Sequence, residues 1–351
     1  MFTQMLTKRV LGSTLVDLLT GPHGVDRYTE LVAPTWSLGD ARARVVSVEH
    51  RTPRSVTLTL APNRAFPGFK SGQHINLTVE IDGRRRTRCY SPASAEGTAL
   101  IELTIGLHGG GLVSTYLHRR ARPGMVVGLG SVAGDFVLPD MRPRRILFVS
   151  GGSGITPVMS MVRTLQAESF AGEIAVVHYA RSAGEACYRD ELAAMAGVRV
   201  LHGYTRSPEK GDLHGHFDRS HLAAAMDTPD AVYVCGPPSL AAAVCEHCDN
   251  VSAESFMPPV FEVPARTSGG LISFSGSHVE ATDDGRPLLE QAEAAGLSPE
   301  SGCRMGICHS CTRRKTRGAI KNLITGAVST SAEEDVQICV SVPVGDVELA
   351  L

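Results

Sequence analysis

Val149-Ser150-Gly151-Gly152-Ser153-Gly154-Ile155-Thr156-Pro157 decides the reading of the middle of the chain. It leaves the apolar run Ile146-Leu147-Phe148-Val149, which has the length and composition of a buried strand. It then opens a helix, with Pro157 in the first turn, where a missing N–H costs nothing. Glycines at such a junction let backbone N–H groups approach a pyrophosphate held at the positive end of the helix. Alone, the motif also fits a tight turn with no ligand. Outward from it, Ile174-Ala175-Val176-Val177 and Ala231-Val232-Tyr233-Val234 repeat the buried-strand pattern. Strands alternating with helices make residues 141–257 an α/β doubly wound nucleotide domain. Cys235-Gly236-Pro237-Pro238 ends one strand at the carboxyl edge, where such sheets bind ligands. The plainer alternative is a buried cysteine before a turn.

Upstream, residues 41–140 read as an antiparallel β-barrel. Val45–Val48, Ser55–Leu60, Ile75–Val79 and Leu100–Ile105 are β-branched or alternating, and Pro67-Gly68, Ser71-Gly72 and Asp82-Gly83 punctuate them. Arg88-Cys89-Tyr90-Ser91 follows a barrel strand and offers a cation, an aromatic face and a hydroxyl. Gly109-Gly110-Gly111-Leu112-Val113-Ser114-Thr115-Tyr116-Leu117 then opens a helix, a second anion-binding end. Either segment alone could be structural; both on one barrel, ahead of a dinucleotide fold, call for a flavin.

Downstream, Pro258-Pro259 and Pro264–Gly270 make a linker over 258–270. The last segment, 271–351, reads as an α+β unit of the β-grasp kind: a hairpin over Leu271–Ala281, a helix over Pro287–Ala295, a cysteine loop, and closing strands near Val336–Val342. The loop is Glu300-Ser301-Gly302-Cys303-Arg304-Met305-Gly306-Ile307-Cys308-His309-Ser310-Cys311, and the fourth thiol is Cys339. C-x4-C-x2-C…C is the spacing of a plant-type [2Fe–2S] site. Gly302 and Gly306 let backbone N–H groups turn toward cluster sulfur. Zinc sites more often use two CxxC pairs, and a chain of 351 residues has no need of a disulfide framework.

Composition bounds the rest. Apolar content of 43% and charged content of 20% describe a soluble globular protein. A net charge of −2 argues against nucleic acid as the main partner. Nine cysteines, four of them cluster ligands, fit a reducing cytoplasm. No run approaches the ~18 apolar residues of a membrane helix. Over residues 1–40 the stripe Leu6, Val10, Leu11, Leu15, Leu18 and Leu19 predicts a helical extension, packed on the protein or docking at a membrane surface or partner.

The chain resembles the ferredoxin–NADP reductase superfamily from about residue 41 to 351. The Arg-x-Tyr-Ser run, the Gly-Gly-x-x-Ser-x-Tyr-Leu helix start, the Gly-Gly-Ser-Gly-Ile-Thr-Pro loop and Cys-Gly-Pro occur in the family's order. The domain order is similar to that of oxygenase reductases of the phenylacetyl-CoA epoxidase and phthalate dioxygenase types. This resemblance implies that Arg88 holds flavin phosphate, Tyr90 stacks on the isoalloxazine and Ser91 lies near N5. It implies that Gly111, Leu112, Val113 and Ser114 cap a pyrophosphate, which selects FAD over FMN. Gly152, Gly154 and Gly236 would bind the nucleotide cofactor, Thr156 and Cys235 would flank the nicotinamide, and Phe256 would lie near the flavin. His216 replaces an arginine that family members often carry. Arg181 and Ser182, after their strand, suit a 2′-phosphate and favour NADPH over NADH.

The segment Leu19–Tyr28 followed by Pro34-Thr35-Trp36-Ser37 looks like the NADPH-dependent electron-transfer partners of bacterial stearoyl-CoA Δ9-desaturases. The implied activity is electron transfer from NADPH through FAD and the cluster to a diiron acyl-CoA desaturase, with Ser91 and Cys235 at the hydride-transfer site. The protein would be cytoplasmic, or peripheral to the membrane through its partner. The alternatives are an aromatic-ring or phenylacetyl-CoA-type oxygenase reductase, and a flavin/iron–sulfur carrier subunit. Three further features invite interpretation. Cys245 and Cys248 read as core thiols of one helix. Arg84–Arg86 and Arg142–Arg145 read as solvated charge. Arg313-Arg314-Lys315 with Arg317 is either solvated or a basic rim for an acidic partner.

Overall fold

The computed structural model describes residues 35, 37, 39–207, 211–256, 269–307 and 309–351. The expected helix over Leu6–Leu19, most of the segment resembling desaturase partners, and Cys308 lie outside the described residues. Contacts divide the chain into two compact units, one of residues 1–86 and 90–256 and one of residues 87–89 and 257–351.

The first unit begins with an antiparallel β-barrel of strands β1 (Arg42–Thr52), β2 (Ser55–Pro62), β3 (His74–Ile81), β4 (Arg84–Tyr90), β5 (Ile101–Gly106) and β6 (Val126–Ala133), in the order β4-β3-β6-β1-β2-β5. Alternation drives it: Val56, Leu58 and Leu60 face inward from β2, and Leu103 and Ile105 from β5. Helix α1 (Leu112–Arg120) packs on this core through Val113 and Leu117.

The same unit continues as a parallel sheet of β7 (Arg145–Gly151), β8 (Glu173–Ala180), β9 (Val198–Tyr204), β10 (Ala231–Cys235) and β11 (Val251–Glu254), ordered β11-β10-β7-β8-β9. Its crossovers are α2 (Ile155–Ala167), α3 (Arg189–Ala194), α4 (Arg219–Ala225) and α5 (Pro238–His247). Ile146 and Phe148 pack on α2, while Leu147 and Val149 face Phe217, Leu222 and Val244. Both faces are buried, so the strand reads as an unbroken apolar run. Each such side chain contributes about 1.5–3 kcal/mol. The edge strands β9 and β11 are absent from the sequence reading because exposed Arg199 and Ser252 break their apolar pattern.

The second unit is the expected β-grasp. Strands β12 (Leu271–Phe274), β13 (Val279–Thr282), β14 (Thr312–Asn322), β15 (Val328–Ser329) and β17 (Ser341–Ala350) form a sheet ordered β13-β12-β17-β14-β15. Strand β16 (Glu334–Gln337) pairs with β14. Helix α6 (Leu288–Ala294) covers the sheet with Leu288, Leu289 and Ala292. Cys339 sits between β16 and β17, the closing strands expected near Val336–Val342.

Three expectations about surface residues are corrected. Cys245 is exposed, because α5 ends at His247 and turns its last exposed face outward; only Cys248 packs on the core. Arg142 grips Glu168 at 2.7 and 3.1 Å, and Arg145 bonds Glu173 at 3.3 Å and the carbonyl of Thr228 at 2.7 Å. These two arginines are ties between chain segments, not free solvated charge. Lys315 is fully buried, with its Nζ bonded to the carbonyls of Gly318 and Ser331 and paired with Glu334 at 3.3 Å. The exposed Arg314 is paired with Glu333 and Asp335. Residues 313–317 therefore do not form a continuous basic rim.

Candidate functional site

Strand β7 lies centrally, with β10 on one side and β8 on the other, so the chain reverses direction across the sheet between β7 and β10. A crevice forms at such a point, outside the carboxyl ends of the strands. The expected residues gather there. Gly152 and Gly154 form a 3-10 turn directly after β7, and Thr156 follows as the second residue of α2. Cys235 ends β10. The approach is close: a Cβ on Gly154 would lie 2.0 Å from the Cys235 carbonyl oxygen, and one on Gly151 would lie 2.8 Å from Pro237 Cδ. Gly152 has φ +56° and open space around it. Glycine is thus required at 154 by sterics and suited to 152 by conformation.

Glu254, at the end of β11, was missed in the sequence. The Cys235 thiol approaches Glu254 Oε2 at 3.9 Å, and His74 Nδ1 of the barrel lies 3.9 Å from Oε1. Burial pushes the Glu254 carboxyl up to about 8, and burial also raises the Cys235 thiol, with the nearby carboxyl adding to it. The signal available in sequence was the acidic residue ending a strand in Glu254-Ser255-Phe256, of which only the aromatic was assigned. Phe256 is half-buried against the α2 face of the sheet.

On the barrel side, Ser91 directly follows β4, and Arg88 and Tyr90 lie on that strand. Ser91 Oγ is buried and has no hydrogen-bond partner among the described residues. A buried hydroxyl in that state calls for a polar ligand atom. The loop after it is fastened to α2. Ser160 Oγ donates to the carbonyl of Ser94 at 2.8 Å, and the Glu96 N–H donates to Thr164 Oγ1 at 3.0 Å. Ala93 packs beside Ile155, at the start of the helix that follows the glycine turn.

Gly111 is the N-cap of α1, and a Cβ there would lie 2.6 Å from Ser114 Oγ. Val113 and Ser114 are buried and Leu112 is exposed. What this segment can offer a pyrophosphate is its backbone N–H groups, not the side chain of Val113. Arg181 and Ser182 follow β8 at the same carboxyl edge, and Arg181 lies 3.9 Å from Glu185. His216 is exposed.

In the second unit, Cys303, Cys311 and Cys339 are buried. Arg304, Gly306 and His309 have φ of +59°, +77° and +56°, left-handed conformations that bend the loop repeatedly. The Met305 N–H donates to Cys303 Sγ at 3.3 Å. Cys311 and burial hold the Cys339 thiol up, and the Gly306 N–H opposes them. Arg304 grips Glu293 of α6 at 3.0 and 2.5 Å. Among the described residues no three His, Cys, Asp or Glu side chains are spaced for a single metal ion. A two-iron cluster distributes its thiolates over two irons. Buried thiols approached by backbone N–H groups fit that group.

These observations define a flavin barrel, a dinucleotide sheet and an iron–sulfur unit in one chain. Residues 44–137 match the oxidoreductase FAD-binding domain, 148–246 the oxidoreductase NAD-binding domain, and 272–344 the 2Fe-2S iron-sulfur cluster binding domain. An NADPH oxidoreductase of Mycobacterium tuberculosis is 34% identical over 345 residues, spanning 93% of this chain and 89% of that one. A glycine betaine monooxygenase reductase subunit of Pseudomonas aeruginosa is 31% identical over 352 residues, spanning 89% and 96%. Phthalate dioxygenase reductase has the same fold, with a TM-score of 0.59 at 24% identity over 88% of this chain and 97% of that one. The chain belongs to the ferredoxin–NADP reductase-type flavin/[2Fe–2S] reductases. It is an NAD(P)H-dependent oxidoreductase whose cofactors are FAD, a [2Fe–2S] cluster and a pyridine nucleotide.

Proposed function

We propose that this reductase draws electrons from NADPH and delivers them to a diiron acyl-CoA desaturase. The observation that carries the hydride-transfer half is the meeting of Gly154, Cys235 and Glu254 at the strand reversal. Bound together, nicotinamide, FAD and cluster supply a relay that takes electrons in pairs and hands them on singly. The chain's part is to hold and orient. Backbone N–H groups of Gly152–Thr156 and of Gly111–Ser114 receive the two pyrophosphates, and Arg88 adds a cation. Tyr90 supplies a stacking face, Ser91 a hydroxyl in reach of the flavin ring, and Thr156, Cys235 and Gly236 a wall for the nicotinamide. Glu254, neutral near pH 7, keeps net charge away from the Cys235 side of the crevice. Phe256 closes the apolar side. Cys303, Cys308, Cys311 and Cys339 are the cluster ligands.

Arg181 and Ser182 support NADPH as donor, as does the likeness to a protein named NADPH oxidoreductase. The desaturase acceptor rests on the likeness of residues 19–37 to desaturase electron-transfer partners. The reductase would then work in the cytoplasm, peripheral to the membrane through its partner. A second reading, the reductase of an oxygenase, is favoured by the 31% identity to a monooxygenase reductase subunit. Reconstitution decides between them. The purified protein with NADPH and a membrane acyl-CoA desaturase is expected to give desaturated product. No product there, with turnover alongside an aromatic-ring or phenylacetyl-CoA-type oxygenase, would move the assignment to the second reading.

A further inference from the structure

We infer that Gln337 is a positioning residue for the iron–sulfur centre, tying the cysteine loop to the strand that delivers the fourth thiol. The inference rests on Cys303, Cys308, Cys311 and Cys339 being the cluster ligands. Gln337 ends β16, two positions before Cys339. Its Nε2 donates to the carbonyl of Gly306 at 2.6 Å and lies 3.3 Å from His309 Nδ1. Gly306 has φ +77°, and a Cβ there would lie 3.0 to 3.2 Å from Val340 and Ile324. The loop thus takes a left-handed conformation against a close wall, which glycine alone accepts without strain. In the residue beside it, the Met305 N–H donates to Cys303 Sγ at 3.3 Å.

Backbone pairing joins this strand to the end of the loop, where Gln337 faces Thr312. Ile338 N–H reaches the Cys311 carbonyl only at 3.5 Å, and the Val340 N–H is turned back to the carbonyl of Gln337 itself. The side-chain amide of Gln337 is therefore the short link between the first half of the loop and the 337–340 turn. It fixes residue 306 from its carbonyl side, next to the Met305 N–H that is bonded to a ligand sulfur. Hydrogen bonds to cluster sulfur withdraw charge and stabilise the reduced state, so they set the potential. A loop released at Gly306 holds that N–H less well, and the potential becomes more negative.

The test is an EPR-monitored redox titration of full-length holoprotein, wild type against Gln337→Met and Gln337→Asn. Methionine keeps the length and neutrality of glutamine without a donor; asparagine keeps the donor but is one methylene short. The expected result is a midpoint potential shifted negative in Q337M, with altered g-values, and a smaller shift of the same sign in Q337N. Loss of the cluster from Q337M but not from Q337N, with flavin content kept, supports the same tie. Equal potentials, g-values and cluster content in all three proteins would overturn it. Failure of the underlying ligand assignment looks different: the wild type would show no [2Fe–2S] signal, or would keep it in Cys339→Ser.

Discussion

Arg163, on the helix that follows the glycine turn, donates to Glu102 of the barrel at 3.0 Å. The same guanidinium clasps Glu191 at 2.7 and 2.8 Å and donates to the carbonyl of Ala93 at 2.7 Å. Tyr188 lies between Arg163 and Arg51, with centroid distances of 5.2 and 4.7 Å, and its hydroxyl donates to Glu102 at 2.9 Å. Flavin barrel and dinucleotide sheet are joined here by a mostly buried ionic cluster. Removing one partner strands the others in low dielectric. Arg163→Ala is expected to cost about 3 kcal/mol, the low end for a buried pair because each side chain keeps some exposure. Urea unfolding followed by flavin fluorescence measures it. A cost within about 0.5 kcal/mol, typical of a surface site, would remove the joint from the account.

Glu254 gives the protein a signature on the alkaline side. Its folded pKa is raised from 4.5 to about 8, so between those values the folded state holds a proton that the unfolded chain releases. Stability is fully present below about 4.5 and falls as pH rises through about 8, with a slope of up to about 1.4 kcal/mol per pH unit. Glu254→Gln should flatten the denaturation midpoint across that window. An unchanged slope would mean that the carboxyl is ionised in the folded protein.

His178 acts in the opposite direction. Burial first, and His202 beside it, push its imidazole down to about 3, and Ser150 Oγ holds Nδ1 at 2.8 Å. The neutral ring is native, so its contribution is complete above about 6.5 and is lost as pH falls toward 3. His178→Leu should lose stability at pH 8, because Ser150 Oγ keeps only its 3.4 Å bond to the Val177 carbonyl, yet show a shallower decline on acidification. Parallel acid limbs for both proteins would contradict this.

Arg181 bears on the choice of donor. If it meets the 2′-phosphate, Arg181→Ala should raise KM for NADPH about 10- to 100-fold, the worth of a hydrogen bond to a charged group, and leave KM for NADH within about 2-fold. The matched comparison is the rate of flavin bleaching with each donor under anaerobic conditions. Similar losses with both donors would assign Arg181 to its pairing with Glu185 alone.

Much of this architecture is legible before any coordinates, because its strong signals are local. The β7 run, the glycine turn and the cysteine spacing each encode one backbone geometry. Residues whose role depends on distant chain were not legible. Glu254 is an ordinary acidic strand end until β10 and β3 bring Cys235 and His74 to it. Lys315 sits among arginines on a strand, and only the carbonyls of Gly318 and Ser331 reveal that it faces inward. Cys245 matched a helical stripe but fell on the last, outward turn. Gln337 carries no motif, since its meaning is a single contact across the loop.

The parallel pairing of Ile272–Phe274 with Val347–Leu349 joins the first strand of the iron–sulfur unit to its last. During synthesis, the central ladder of that unit has no partner until residue 349 has been made. The loop cysteines at 303–311 are made before then, on chain that has no completed sheet to hold them. The cysteine loop therefore gains its full support only once β17 is in place between β12 and β14.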